Sequence, residues 1–229
     1  MKYNFLIFDL DDTLFDYSLT EKLALKNACM NQKINFDEEK YLQYKEANKI
    51  AKQMIPDYLK KLSEFRICRV KQFFLLIGES NKDVEKFVSD YEENSKIGFL
   101  FDDVIDTIFK MDFITKVVAT NGCHDIRYSK FRNSEIKDCF NGFYSSEQLG
   151  VEKPNKEFFE KILSFYNVNH NEVLVIGDNV KTDIYGALNA NLDCCLINRN
   201  KVEINLGNFD NKIYIIEHLN ELLYILKGY

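Results

Sequence analysis

Beyond residue 98 short apolar runs alternate with helical stretches, and this rhythm limits the possible folds more than any other feature of the chain. Strands are predicted over 113–119, 172–176, 194–198 and 213–216, and helices over 102–111, 124–131, 155–166, 182–191 and 219–226. Strands separated by helices pair in parallel, and a parallel sheet is buried only when helices cover both of its faces. An apolar, aromatic run at 3–8 supplies one more buried strand, and it ends abruptly in acid at Asp9. Between that strand and the alternating region, residues 18–96 read as helical. Val84, Phe87, Val88 and Tyr91 fall at i, i+3, i+4 and i+7, while Tyr41, Tyr44 and Ala47 recur every third residue before Ile50, so both segments bury one stripe. Pro56 is placed at the first turn of a helix. The expectation is an α/β core, residues 1–17 and 97–229, interrupted after its first strand by a helical domain, residues 18–96.

Composition removes several classes of function. Of 229 residues, 46% are hydrophobic, enough for a sizeable core, and 36 acidic against 30 basic side chains leave a net charge of −6. That balance argues against a nucleic-acid partner held by phosphate neutralisation. The N-terminal apolar run is broken at Asp9, short of a secretory signal, and no run approaches the ~20 residues of a membrane span. The six cysteines, at 29, 68, 123, 139, 194 and 195, lack paired metal-ligand spacing. Free thiols and a cytoplasmic location are expected, with no membrane partner and a monomer or homodimer as the assembly.

In open α/β sheets ligands bind beyond the carboxyl ends of the strands. One such end here carries Asp9-Leu10-Asp11-Asp12-Thr13, a second Thr120-Asn121-Gly122, and a third Gly177-Asp178 followed by Asp183. If these strands are neighbours, Asp9, Asp11 and Asp178 converge, and two carboxylates ~4 Å apart repel by ~4 kcal/mol at an effective dielectric of 20. Such a cluster calls for a cation. Oxygen ligands at a partly open site suit Mg²⁺, which commonly bridges carboxylates to a substrate phosphate. Asp9 and Asp11, at i and i+2, share a side if the backbone stays extended, so one can attack while the other handles protons. Metal beside Asp9 keeps it ionised; Asp11, turned toward the leaving group, holds the proton. Lys153, before Pro154 and a helix that Asn155 can cap, balances charge on the aspartate and the phosphoryl group.

These segments resemble the haloacid dehalogenase-like hydrolase superfamily, whose four motifs occur in order as FDLDDTLFD, VVATNG, EKP and IGDNVKTD. The resemblance implies a Rossmann-like parallel sheet with an inserted helical cap at residues 18–96. It implies Asp9 as the nucleophile that becomes an aspartyl phosphate and Asp11 as general acid and base. Thr120 and the Asn121 backbone would face phosphoryl oxygens with Lys153, Mg²⁺ would be held by Asp9, Asp11 and Asp178, and Thr13 and Asp183 would support the site. The carbon–halogen hydrolases of the superfamily lack an aspartate at the position of Asp11, and its phosphomutases usually carry glycine at that of Asp12. The substrate implied is therefore a small phosphate ester. The segments YKEANK and GVEKPNKEFF are similar to bacterial nucleoside 5'-monophosphatases acting on pyrimidine and non-standard nucleotides; a sugar-phosphate or phosphoglycolate-type phosphatase is the alternative. Tyr44, Tyr58, Phe65 and Phe73 of the insert would either stack on a base or pack the helices.

Overall fold

The computed structural model describes residues 2–58, 61–207 and 209–227. Among them six strands, β1 (Phe5–Phe8), β2 (Thr115–Thr120), β3 (Gly142–Ser145), β4 (Val173–Gly177), β5 (Asp193–Ile197) and β6 (Ile213–Ile216), form one sheet in the order β3-β2-β1-β4-β5-β6. Every pairing is parallel. The helices are α1 (Tyr17–Asn31), α2 (Glu38–Met54), α3 (Leu62–Leu76), α4 (Val84–Ser95), α5 (Val104–Phe109), α6 (His124–Arg132), α7 (Ser146–Leu149), α8 (Lys156–Leu163), α9 (Tyr185–Asn189) and α10 (Leu222–Lys227). The chain divides into two compact units, Met1–Tyr17 with Gly98–Tyr229, and Ser18–Ile97.

The first unit is a three-layer α/β fold, and its strands show why. Leu6, Phe8, Val118, Leu174, Ile176, Cys195 and Ile197 point to one side, where Val104, Ile108, Phe131 and Leu222 of α5, α6 and α10 cover them. The alternate residues, Phe5, Ile7, Val117, Ala119, Val173, Val175, Cys194 and Leu196, point to the other side and meet Phe158, Phe159 and Ile162 of α8 and Ala187 of α9. Side chains alternate along a strand, so a run apolar at every position demands cover on both faces. The chain builds β1, β2 and β3 outward in one direction, then crosses to β4 on the opposite side of β1. This order reverses beside β1, and such a switch point opens a crevice at the strands' carboxyl ends.

The strand at β3 lies outside the sequence expectation. It is a four-residue edge strand, only part-buried over Gly142–Tyr144, and so carries no hydrophobic run. Cys194 and Cys195 are buried in β5, where burial pushes the Cys194 thiol up to about 12.

The second unit packs helices on aromatic residues. Tyr44 and Ala47 of α2, Val70 and Phe73 of α3, and Phe87 of α4 are fully buried together, with the Tyr44 and Phe73 rings edge-on at 5.4 Å. Tyr58 and Phe65 lie 4.9 Å apart. Tyr44, Phe65 and Phe73 act as packing, while Tyr58 is half-buried. Asp37 caps α2 by accepting from the Lys40 N–H at 2.9 Å. Pro56 does not start a helix: α2 ends at Met54, Pro56 sits in a turn, and α3 begins at Leu62. The residue before a proline is biased away from helical angles, so the signal marks an end here. No helix among the described residues is long and apolar enough to cross a membrane.

Candidate active site

The three acid- or hydroxyl-bearing strand ends meet because β2, β1 and β4 are adjacent. Asp9 extends the ladder by one bond beyond β1, donating its N–H to Ile176 O at 2.8 Å. The chain then turns sharply: Leu14 and Phe15 both donate to Leu10 O at 3.0 Å, and Asp12 adopts a positive φ of 59°. Leu10, Leu14 and Phe15 are buried, so apolar anchors pin the loop that carries the acids.

Lys153 is the hub of the site. Its ammonium donates to Asp9 Oδ1 and to Asp183 Oδ1, each at 2.6 Å, and to Ala119 O at 2.9 Å. Its side chain is only 3% exposed. Burial alone would discharge it, but Asp183 and Asp9 reverse the sign and hold its pKa above the usual lysine value. Asn121 fixes its backbone, accepting from Lys153 N–H and donating to Lys153 O, each at 2.9 Å. The Lys153–Pro154 peptide is cis, and Asn155 caps α8 through the Glu157 N–H at 3.0 Å.

Asp183 is buried in a π-helical turn, Val180–Ile184, and its second oxygen accepts from Asn179 N–H at 3.0 Å. Asp178 lies beside it and accepts from Thr13 Oγ1 at 3.4 Å. Carboxylate oxygens of Asp9, Asp178 and Asp183 all fall within 4.8 Å of one another. Burial pushes Asp9 up to about 7 against the pull of Lys153, and burial with Asp9 and Asp183 pushes Asp178 up to about 8. Crowded carboxylates that resist ionisation are groups a cation would hold ionised, and an all-oxygen donor set suits Mg²⁺. Asp183 already has both oxygens engaged, which leaves Asp9 and Asp178 as the fitting ligands.

Asp11 stands elsewhere than expected. Its carboxylate lies outside this cluster and is paired with Lys130 on one oxygen and with Arg127 at 3.3 Å on the other. α6 presents two cations one turn apart, and the Asp11 carboxylate is turned to them. Burial raises the Asp11 pKa, but Lys130 and Arg127 outweigh it and hold the carboxyl below its ordinary value. Lys130 and Arg127 escaped the sequence reading; their i, i+3 spacing was visible, but basic residues on a helix ordinarily lie in solvent.

Thr120, buried at the end of β2, turns its hydroxyl toward Asn121 O at 3.4 Å. Thr13 is held from behind as well: its carbonyl accepts from Arg199 Nη2 at 3.0 Å, and Arg199 forms a two-point pair with Asp103 at 2.9 and 3.0 Å.

Comparison with known proteins agrees with this geometry. Residues 3–191 match the family model described as haloacid dehalogenase-like hydrolase. The pyrimidine 5'-nucleotidase PynA of Streptococcus pneumoniae is 29% identical over 89% of this chain and 87% of its own. A glyceraldehyde 3-phosphate phosphatase of Pyrococcus furiosus is 28% identical over 97% of this chain and 92% of its own. The crystal structure of the HAD-hydrolase YfnB from Bacillus subtilis, bound to magnesium, superposes with a TM-score of 0.83 at 27% identity, covering 99% of each chain.

Proposed function

The chain belongs to the haloacid dehalogenase-like hydrolase family and is a phosphoric monoester hydrolase, and from that premise we propose that it cleaves nucleoside 5'-monophosphates with Mg²⁺, through an aspartyl phosphate on Asp9. The observation that carries the reading is Lys153, whose ammonium bridges Asp9 and Asp183 with Asp178 alongside. A buried lysine clamped on two acids provides a fixed positive charge where a dianionic phosphoryl group would arrive. The reading includes residues 18–96 as the cap of the family.

In the first step an Asp9 oxygen attacks phosphorus in line, forming the Oδ–P bond as the ester P–O bond breaks. Lys153 and the Thr120 hydroxyl, with the Asn121 backbone N–H, take up charge on the phosphoryl oxygens. Asp11 gives its proton to the departing ribose oxygen. In the second step Asp11 takes a proton from water, whose oxygen bonds to phosphorus while the Asp9 Oδ–P bond breaks. Mg²⁺, held by Asp9 and Asp178, would supply positive charge to the attacking carboxylate and the phosphate. Thr13 and Asp183 position Asp178 and Lys153 respectively.

A second reading is favoured by the relative from Pyrococcus furiosus, which matches nearly the whole chain: a triose or other small sugar phosphate as substrate. Phosphate release from a panel of nucleotides and sugar phosphates with Mg²⁺ separates the two. The proposal expects a peak in kcat/KM on a pyrimidine nucleotide such as uridine or thymidine monophosphate. A peak on a triose phosphate would transfer the assignment to the second reading, and turnover that survives Asp9→Asn would refute both.

A further inference from the structure

We propose that Arg199 is a positioning residue for Asp178: it fixes the Thr13 carbonyl, and with it the Thr13 hydroxyl that meets the Asp178 carboxylate. This role presupposes the reading of Asp178 as an Mg²⁺ ligand and extends it to a residue outside the four motifs.

The three clustered carboxylates are not held alike. Lys153 donates to Asp9 and to Asp183, each at 2.6 Å, whereas Asp178 is met by the Thr13 hydroxyl at 3.4 Å. Groups that hydrogen-bond a ligating carboxylate orient it, and a hydroxyl can do so only as well as its own backbone is fixed. Thr13 is fully buried in the loop after β1, and two successive carbonyls of that loop are taken by distant donors. Arg199 Nη2 donates to Thr13 O at 3.0 Å, and the Phe101 N–H to Leu14 O at 3.1 Å.

Arg199 is itself immobilised. Nη1 and Nη2 donate to the two oxygens of Asp103 at 2.9 and 3.0 Å, and Cζ lies 3.9 Å from the centroid of the Phe101 ring. Asp103 is fixed in turn by the Leu219 N–H at 2.7 Å. A planar fork that is bidentate to a carboxylate and stacked on a ring has little freedom left, and a lysine does not reproduce it. Nη2 serves both Asp103 and Thr13 O, so the pair that anchors the guanidinium also aims it at the loop.

The sheet order gives this contact its leverage. Arg199 stands two residues beyond β5, and β4, which leads into Asp178, lies between β5 and β1. The Arg199–Thr13 bond therefore ties together the loops that follow the two strands on either side of β4. Thr13 comes four residues after Asp9, so this one bond sets the loop of one candidate ligand against the carboxylate of the other.

The test is the affinity of the substrate-free protein for Mg²⁺, measured by isothermal titration calorimetry. Arg199→Met is expected to raise the Kd about 10-fold, the scale on which loss of an outer-shell partner weakens metal binding. Thr13→Val, which removes the hydroxyl, is expected to give a similar rise, and Thr13→Ser, which keeps it, to stay near wild type. Adding Arg199→Met to Thr13→Val is expected to raise the Kd no further, because the two residues act in series. A merely structural Arg199 lowers the thermal transition in both backgrounds and leaves the Mg²⁺ Kd where it was, which would overturn the proposal. A second 10-fold rise in the double variant would overturn it too, since Arg199 would then act by another route than Thr13. If Arg199→Met does not fold, Arg199→Lys, which keeps a cation for Asp103 but lacks the fork that also serves Thr13 O, must show the rise. Asp178→Asn tests the underlying reading separately: undiminished Mg²⁺ binding in that variant would refute Asp178 as a ligand and this role with it. That result is distinct from an unchanged Kd in Arg199→Met when Asp178→Asn has lost binding.

Discussion

The side-chain amide of Asn121 and the backbone of Lys153 are joined by two reciprocal hydrogen bonds of 2.9 Å, so a residue of one motif sets the position of the residue defining another. Asn121→Ala removes both bonds. At about 0.5–1.5 kcal/mol each, and with the Lys153 ammonium then free to drift from Asp9, kcat/KM is expected to fall about 10- to 10²-fold. Asn121→Asp, which keeps the acceptor and loses the donor, is expected to lie between. Steady-state kinetics beside a thermal melt check this: an activity loss no greater than the loss of folded protein would contradict it.

Lys153 links chemistry to stability. Lys153→Met leaves Asp9 and Asp183 buried without their cation, and breaking a buried pair in this way costs about 3–5 kcal/mol. Adding Asp183→Asn removes one stranded charge. The double variant is expected to regain part of the lost stability in urea unfolding and none of the lost activity. Recovery of both, or of neither, would show that the lysine acts differently.

A pH-dependent contribution comes from Asp103. Burial opposes ionisation, but the two-point pair with Arg199 and the Leu219 N–H at 2.7 Å hold its carboxyl below the ordinary value. A depressed folded pKa gives stability that is fully present above the unfolded value of ~3.9 and lost as pH falls through the folded value. Asp103→Asn is therefore expected to cost about 1–3 kcal/mol at pH 7, with the gap from wild type closing below about pH 4. Urea unfolding at a series of pH values checks this; a gap that widens in acid would contradict it.

Much of the sheet could be read from the sequence because its strands are apolar at consecutive positions, as in Val173–Gly177, and each is followed by a helix. The short edge strand Gly142–Ser145 was not legible, since half its surroundings are solvent and no hydrophobic pattern is imposed on it. The site shows the same division. Asp9, Asp178 and Lys153 sit in loops next to strong strand or helix signals, so their approach follows from strand adjacency. The fate of the Asp11 carboxylate depends instead on where α6 aims Arg127 and Lys130, a tertiary relationship across more than a hundred residues. Spacing within FDLDDT cannot encode it.

Removal of metal offers a further check. Mg²⁺ that binds the folded protein through Asp9 and Asp178 stabilises it by about 2.7 kcal/mol at a hundred times its Kd. Added Mg²⁺ is expected to raise the melting temperature of the wild type, and Asp178→Asn to abolish most of that rise. EDTA is expected to stop phosphate release, and full turnover in its presence would contradict the assignment.

The most direct measurement is chemical trapping of the intermediate. Borohydride reduces an acyl phosphate on aspartate to homoserine, and peptide mass spectrometry locates the change. During turnover of a nucleoside monophosphate with Mg²⁺, homoserine is expected at residue 9 in the wild type and not in Asp9→Asn. Phosphate release with residue 9 unmodified, or with the modification at another residue, would contradict covalent catalysis by Asp9.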